Sequence, residues 1–371
     1  MNSRLDGLSQ LLVEFQLDAL ALNPGPSLTY LTGLQFHLME RPTVAVFSAR
    51  QEPILLLPEL EQAKLAELKF PLQAVPFGDD PATWPQAFVQ GLSPLSQQPL
   101  RLGVEPGRLR LLELGYLQAA LPDAEIVDAA TLLARLRLRK DEGELRKMRR
   151  AAEIAQSALL QTLKSIAPGQ TERQIAAELL VQLYRAGSDP DLPFPPIVSS
   201  GPNSANPHAA PSERVLQSDD TLLFDWGAGF EGYFSDITRT FFCGQITAEQ
   251  RLVADLVYEA NRAVRLKGKA GLTAGEIDHM ARSVIEAGGY SACFIHRTGH
   301  GLGMEAHEAP YMFAGNPLSL EEGMVFTDEP GIYLPGKFGV RIEDDLVVGT
   351  DGLESLTDLP RRVLPLELFR A

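Results

Sequence analysis

Residues 221–240 read TLLFDWGAGFEGYFSDITRT, and how that stretch folds decides the rest. The apolar run Thr221-Leu222-Leu223-Phe224 closes on Asp225, glycines at 227, 229 and 232 mark a turn, and a second β-rich run from Phe234 to Phe242 carries Asp236. Two such runs around a glycine-rich turn predict a hairpin, which would bring together two aspartates eleven residues apart in sequence. A carboxylate on a buried strand is costly unless something neutralises it, and a divalent cation does so without depending on proton uptake. Either aspartate alone reads more readily as a turn residue or half of an ion pair, so the pair needs further partners to mean more.

Three such partners lie downstream: His300 in HRTGHGLG (296–303), Glu329 in TDEPGIY (327–333) and Glu343 in VRIEDD (340–345), each at an expected strand edge or turn. Four carboxylates and one neutral imidazole suit two hard or borderline divalent ions, manganese foremost and cobalt or zinc as alternatives, better than a thiolate-selected metal. The four negative charges would balance two dications. Of the six histidines, four (His208, His296, His300 and His307) fall within the motif segments. A site that binds metal, hydrogen-bonds substrate and moves protons near neutral pH uses imidazoles in this way.

Around this chemistry the chain reads as α/β in two domains, residues 1–133 and 134–371, a length beyond what one core usually fills. In the first, a helix over 5–15 leads to a buried strand in DALALNP (18–24), strands at 43–47 and 54–57, a helix over 58–68, a strand at 101–104, a helix after Arg108 and a strand at 126–127. Proline, glycine and glutamine between Phe77 and Pro99 predict a loop-rich interval. The second domain opens with one long charged-faced helix. In it, Pro168-Gly169-Gln170-Thr171 with Gln174, Ile175 and Gly187 recurs 102 residues on as Ala270-Gly271-Leu272-Thr273 with Glu276, Ile277 and Gly289. Each copy has an N-cap threonine, a capping-box partner and a terminating glycine, which predicts an internal duplication. β-Rich runs at 221–227, 234–242, 324–327 and 340–348 predict a mixed or antiparallel sheet backed by these helices.

A net charge of −15 without a long basic run repels phosphate backbones and argues against nucleic acid as a partner. No segment stays apolar for about 18 residues, and the opening MNSRLDGLSQLLVEF lacks the apolar stretch of an export signal, so neither membrane nor secretion is expected, and the cytoplasm is. Cys243 and Cys293, isolated among apolar neighbours, read as buried thiols.

These motifs resemble the pita-bread metallopeptidases, and within them the Xaa-Pro peptidases, prolidases and proline aminopeptidases. The likeness spans residues 138–360. It rests on Asn206-Pro207-His208, Asp225-Trp226-Gly227-Ala228, Asp236-Ile237-Thr238-Arg239-Thr240, His296 to Gly303, Glu329-Pro330-Gly331-Ile332-Tyr333 and Arg341-Ile342-Glu343-Asp344. Tyr30-Leu31-Thr32-Gly33 ties residues 1–130 to the family's N-terminal domain. The resemblance implies a creatinase/prolidase-like α/β domain followed by a pita-bread catalytic domain with pseudo-twofold duplication. It implies that Asp225 chelates one metal ion, that Asp236 and Glu343 bridge two, and that His300 and Glu329 complete the second.

All five positions are intact, which sets the chain apart from creatinase, active without metal, and from relatives that only bind partners. By the same resemblance, solvent held between the metals attacks the scissile carbonyl with Glu329 as general base. His208 and His307 act on the substrate, His296 reaches the prolyl carboxylate side, Tyr333, Phe194 and the 188–196 loop wall the pocket, and Arg341 steadies a metal-binding carboxylate. The expected reaction is hydrolysis of Xaa-Pro dipeptides. Removal of the first residue from longer peptides with proline second is the alternative, decided by whether the N-terminal domain, or a partner's loop around His37, blocks a third residue. A homodimer is expected, with the first domain serving oligomerisation and substrate-length control; a non-catalytic binding homologue is the remote alternative.

Overall fold

The computed structural model describes residues 3–97, 99–167 and 169–369. It divides into two compact units between Arg137 and Leu138. In the first unit six strands form one sheet, in the order Gln73–Phe77, Gln51–Pro58, Val44–Ser48, Ala19–Leu22, Arg101–Val104, Glu125–Asp128. Ala19–Leu22 is buried along its whole length, as the unbroken apolar run requires. The 77–99 interval is more ordered than its composition predicts. Trp84–Gly91 is a helix, with Pro85 in its first turn, where a missing N–H costs nothing, and with Trp84 and Phe88 buried against the sheet's core. The segment predicted as a helix over 58–68 is instead a 3-10 helix, Glu59–Glu67, with no buried residue to hold it to one side.

The second unit is built twice over. Helix Glu142–Ser165 leads into Glu172–Arg185, and helix Ala248–Lys267 into Ala274–Ala287. Thr171 and Thr273 cap the second helix of each pair, accepting from Gln174 N and Glu276 N in reciprocal capping boxes. The likeness continues into what each cap is tied to. Glu172 N donates to Arg214 O and Arg173 N to Ser212 O, just as Ala274 N donates to Leu318 O and Gly275 N to Asn316 O. Thr171 bridges Val215 as Thr273 bridges Ser319. Both helices run out into a glycine in the left-handed region, Gly187 at φ 98° and Gly289 at φ 84°. Pro168, at the head of the first copy, lies outside the described residues.

Each helix pair backs a sheet. Leu364–Pro365, Ile237–Phe242, Thr221–Trp226 and Ile197–Ser200 form one, in that order; Glu308–Met312, Gly299–Gly301, Val325–Asp328, Asp344–Val348 and Leu353–Ser355 form the other. The run predicted as one strand over 340–348 is broken at Ile342-Glu343. Phe338–Arg341 folds back on Gly331–Leu334, whereas Asp344–Val348 joins Val325–Asp328. A continuous strand would serve one ladder; the break lets the chain change sheets and frees Glu343 to bridge Thr238.

Candidate active site

The hairpin forms in the register its alternation demands. Trp226 lies opposite Ile237 and Asp225 opposite Thr238. Because side chains alternate along a strand, Leu222, Phe224 and Trp226 enter one core with Ile237 and Phe241. There Trp226 Nε1 donates to Ala155 O at 2.9 Å. Asp225, Asp236 and Thr238 fall on the opposite face. The turn is tight: a Cβ on Gly227 would meet Ser235 O at 1.9 Å. Ser188 Oγ and Asp189 Oδ2 accept from Gly229 N and Gly232 N, each at 3.0 Å, so the start of the 188–196 loop buttresses this turn.

Thr238 is where the other segments converge. Its Oγ1 donates to Glu343 Oε2 at 2.6 Å and accepts from Arg341 Nε at 2.9 Å. From the second sheet, Thr327 Oγ1 accepts from His300 N at 3.1 Å, and Glu329 N donates to Thr298 O at 2.8 Å. His300 Nε2 thereby stands 3.4 Å from Glu329 Oε1 and 3.7 Å from Asp236 Oδ2. Buried Asp278 fixes the segment between His296 and His300 by accepting from Thr298 N at 3.1 Å and Thr298 Oγ1 at 2.8 Å.

Among the described residues three sets of side chains that could hold a metal ion result: Asp225, Asp236 and Glu343; His300, Glu329 and Glu343; and Asp236, His300 and His307, with one ligand atom of each residue within 4.8 Å of the others in its set. The first two share Glu343, as two neighbouring ions would require. Asp225 Oδ1 and Asp236 Oδ1 are buried without a hydrogen-bond partner. An acceptor stranded in this way is costly, and a cation facing both removes the cost. With four carboxylates and one imidazole, the donor chemistry fits divalent ions.

Electrostatics point the same way. Burial, then the charges of Glu343 and Asp225, raises Asp236 well above the ordinary carboxylate range; burial, then Glu329, does the same to Glu343. Glu329 is pushed up to about 7, chiefly by burial and against the pull of Arg341. His300 is pushed down to about 3 by burial and then by His307, leaving the neutral ring that can bind metal. Carboxyls raised in the folded state stabilise it fully below their unfolded value, near 4, and that contribution drains as pH rises toward the folded values. Metal-free protein is therefore expected to lose stability from about pH 4 to beyond 7, and metal to restore it. Thermal melts of chelated and metal-loaded protein should show a gap in Tm that widens from pH 5 to pH 8; an equal gap at both would contradict this charge balance.

Arg341, 3% exposed, is the positive charge set into the cluster. Its Nη2 lies 2.5 Å from Asp225 Oδ2, and its Nη1 donates to Tyr333 Oη at 2.7 Å and Pro207 O at 3.4 Å. Tyr333 is held up to about 12, mainly by burial, and so keeps its proton. His296 has both ring nitrogens engaged within the protein, Nε2 2.9 Å from Tyr333 Oη and Nδ1 2.7 Å from Arg297 O. The consistent assignment has Tyr333 donating to His296 Nε2 and His296 Nδ1–H donating to Arg297 O. Burial and then Arg341 push this ring down to about 4. His208 and His307 are exposed at the site, and the His307 ring sits over His300 with centroids 3.8 Å apart. Arg297, which motif reading passed over, places Nη2 3.4 Å from His307 Nδ1; its position inside HRTGH was the signal.

Comparison with known proteins agrees with this architecture. Residues 146–350 match the model of metallopeptidase family M24, and residues 4–139 that of the creatinase/prolidase N-terminal domain. The chain is 34% identical over 366 residues to an Xaa-Pro dipeptidase of Lactobacillus delbrueckii subsp. lactis, covering 98% of this chain and 99% of that one. It is similar to the solved structure of a dipeptidase from Pyrococcus horikoshii, with 34% identity, 98% and 99% coverage and a TM-score of 0.91. It is also similar to that of an X-Pro aminopeptidase from Thermotoga maritima, with 32% identity, 97% and 99% coverage and a TM-score of 0.84.

Proposed function

The chain belongs to metallopeptidase family M24, and from that premise we propose that it hydrolyses the bond between an N-terminal residue and proline in dipeptides. One observation carries the reading: two ligand sets sharing Glu343, with stranded carboxylate oxygens in one of them. Divalent metal is held by acidic and imidazole side chains. We assign Asp225 to one ion, Asp236 and Glu343 to both, and His300 with Glu329 to the other, with manganese as the metal and cobalt or zinc as substitutes. When bound, the pair supplies Lewis acidity for attack of solvent on the scissile carbonyl.

The chain's own residues do the rest. Glu329 takes the proton of the attacking solvent on Oε2, the oxygen 3.9 Å from His296 Nδ1, and returns it to the prolyl nitrogen. A carboxyl whose affinity for protons is raised by burial is suited to that exchange near neutral pH. His208 and His307, exposed on the site's open side, hydrogen-bond the peptide oxygen and the tetrahedral oxyanion. Arg341 holds Asp225 in place, and Tyr333, kept protonated and tied to His296 and Arg341, forms part of the wall against the proline ring. Proline supplies no N–H at the scissile bond, so an apolar pocket can prefer it without leaving a donor unpaired.

The reading extends to a homodimer, supported by exposed Leu38 and Met39 beside His37 in the first domain, which we assign to oligomerisation and substrate-length control. It also extends to the cytoplasm. Among the described residues no helix is long and apolar enough to cross a membrane.

Hydrolysis of Leu-Pro and Leu-Pro-Pro, with manganese and after chelation, tests the proposal. The dipeptide should be cleaved, the tripeptide spared, and cleavage lost on chelation. Cleavage of the tripeptide would move the assignment to an aminopeptidase, and cleavage of neither would end it.

A further inference from the structure

Glu172 is one of the buried carboxylates that the mechanism leaves unused. Glu172, 0% exposed in the first turn of its helix, accepts at Oε1 from Ser200 N at 2.6 Å and Ser200 Oγ at 2.8 Å. It accepts at Oε2 from Ser212 N at 3.1 Å and Ser212 Oγ at 2.6 Å, while Asn203 Nδ2 lies 3.1 and 3.0 Å from the two oxygens. Ser200 ends the Ile197–Ser200 strand, and Ser212 closes the loop that follows it. One carboxylate thus joins both ends of a loop whose middle is Asn206-Pro207-His208. Arg214 reinforces the junction, its Nη1 donating to Ser200 Oγ at 2.6 Å and its Nη2 to Asp220 Oδ1 at 2.8 Å.

The internal duplication shows what this carboxylate is not needed for. At the matching place in the second copy stands Ala274, and the same backbone junction closes there without a carboxylate. The two copies differ in how the following loop is held. In the second, the loop bearing His307 returns as the strand Glu308–Met312, laddered onto Gly299–Gly301. In the first, Ile197–Ser200 is the edge of its sheet, and among the described residues no strand returns beside it. Side-chain hydrogen bonds from Glu172 stand where the other copy has a backbone ladder.

We propose that Glu172 is a positioning residue for His208, its carboxylate clamping the 200–212 loop so that the imidazole is held toward the metal cluster. For its catalytic consequence this rests on the Xaa-Pro hydrolysis assigned above. Beyond the 3-10 helix Gly201–Ala205 this segment has no ladder pairing and has conformations to lose, and a misplacement of about 1 Å in a catalytic group costs about 10²-fold in rate.

Hydrolysis of Leu-Pro by Glu172→Gln, His208→Ala and the double variant, with metal content measured on each, tests the clamp. Glu172→Gln should lower kcat/KM by about 10²-fold at unchanged metal content, and should cost nothing further in the His208→Ala background. An equal loss in both backgrounds, or no loss in either, overturns the proposal. A second readout needs no substrate, so it separates failure of the clamp from failure of the peptidase assignment. In zinc-loaded protein carrying 13C-labelled histidine, the Cε1–H resonance of His208, identified by its absence in His208→Ala, should shift or broaden in Glu172→Gln while the other five of six stay in place. An unmoved His208 resonance overturns the clamp whatever the activity. If Glu172→Gln does not fold, Ser212→Ala, which removes the 2.6 Å donor to Glu172 together with an acceptor for Arg214 N and Asn203 Nδ2, is put through the same cycle and the same spectrum, and the same results support or overturn the clamp.

Discussion

Replacing Asp236 with asparagine is expected to abolish working activity and, at the same time, to stabilise the metal-free protein. The first effect follows from geometry. Asp236 stands among the ligand atoms of two of the three sets, so its loss disturbs the whole centre, and kcat/KM should fall by at least about 10³-fold, with bound metal falling alongside. The second follows from electrostatics. Asp236 is 3% exposed, and Glu343, Asp225, Asp345 and Glu329 all raise its pKa further after burial has done so. Without cations its charge is held at a cost, and a neutral amide of the same shape removes that cost; the expected gain is about 1–3 kcal/mol near pH 7. Denaturant melts of chelated wild type and D236N decide the matter. A metal-free variant less stable than metal-free wild type would mean that the cluster is not under like-charge stress.

Arg341 should respond with the opposite sign. It is the buried counter-charge to Asp225, it donates to Tyr333 and Pro207, and its Nε binds the threonine that orients Glu343. Arg341→Ala leaves four crowded carboxylates with less to balance them, and the expected destabilisation is about 3–5 kcal/mol, larger without metal than with it. Lysine should not rescue it. A compact ammonium cannot reach Asp225, Thr238 and Tyr333 at once, as the planar fork does. If R341K melts like the wild type, the guanidinium geometry is not what holds this corner of the site. Placed side by side, D236N and R341A move metal-free stability in opposite directions, which a generic defect in packing would not produce.

Much of the site was legible because its information is local. Asp225 and Asp236 announce themselves as charges at the ends of apolar strand runs flanking a glycine turn, and the hairpin, with Asp225 opposite Thr238, brings their carboxylates within 4.8 Å of each other as that pattern implies. His300, Glu329 and Glu343 sit in short motifs whose glycines leave room for close backbone approach; a Cβ at Gly299 would meet Thr327 O at 1.7 Å. What escaped depends on partners remote in sequence. Nothing near Glu172 suggests that it would bind Ser200 and Ser212, nor near Asp278 that it would hold Thr298, because each becomes a clamp only once the loop folds back on the helix. The break at Ile342-Glu343 was hidden for a related reason: its residues have strand character, and only competition between two sheets divides them. Trp84–Gly91 was obscured by proline, which is harmless in a first helical turn though it reads as a breaker elsewhere.

The hairpin's two-residue alternation also makes insertions and deletions far more dangerous than substitutions at one place. A single residue added or removed between Gly227 and Gly232 would have to be absorbed inside the turn, where Gly227 already touches Ser235, or passed on as a one-step slip of Ile237–Phe242 against its partner. A slip carried along the strand would turn Asp236, Thr238 and Thr240 onto the face now occupied by Ile237, Arg239 and Phe241 beneath the helices, and turn Ile237 and Phe241 toward the cluster of carboxylates. A library that varies the length of this turn should therefore yield almost no active clones, while one that varies length between Gly244 and Thr247, beyond the last backbone bond of the pairing from Cys243 N to Asp220 O, should yield many.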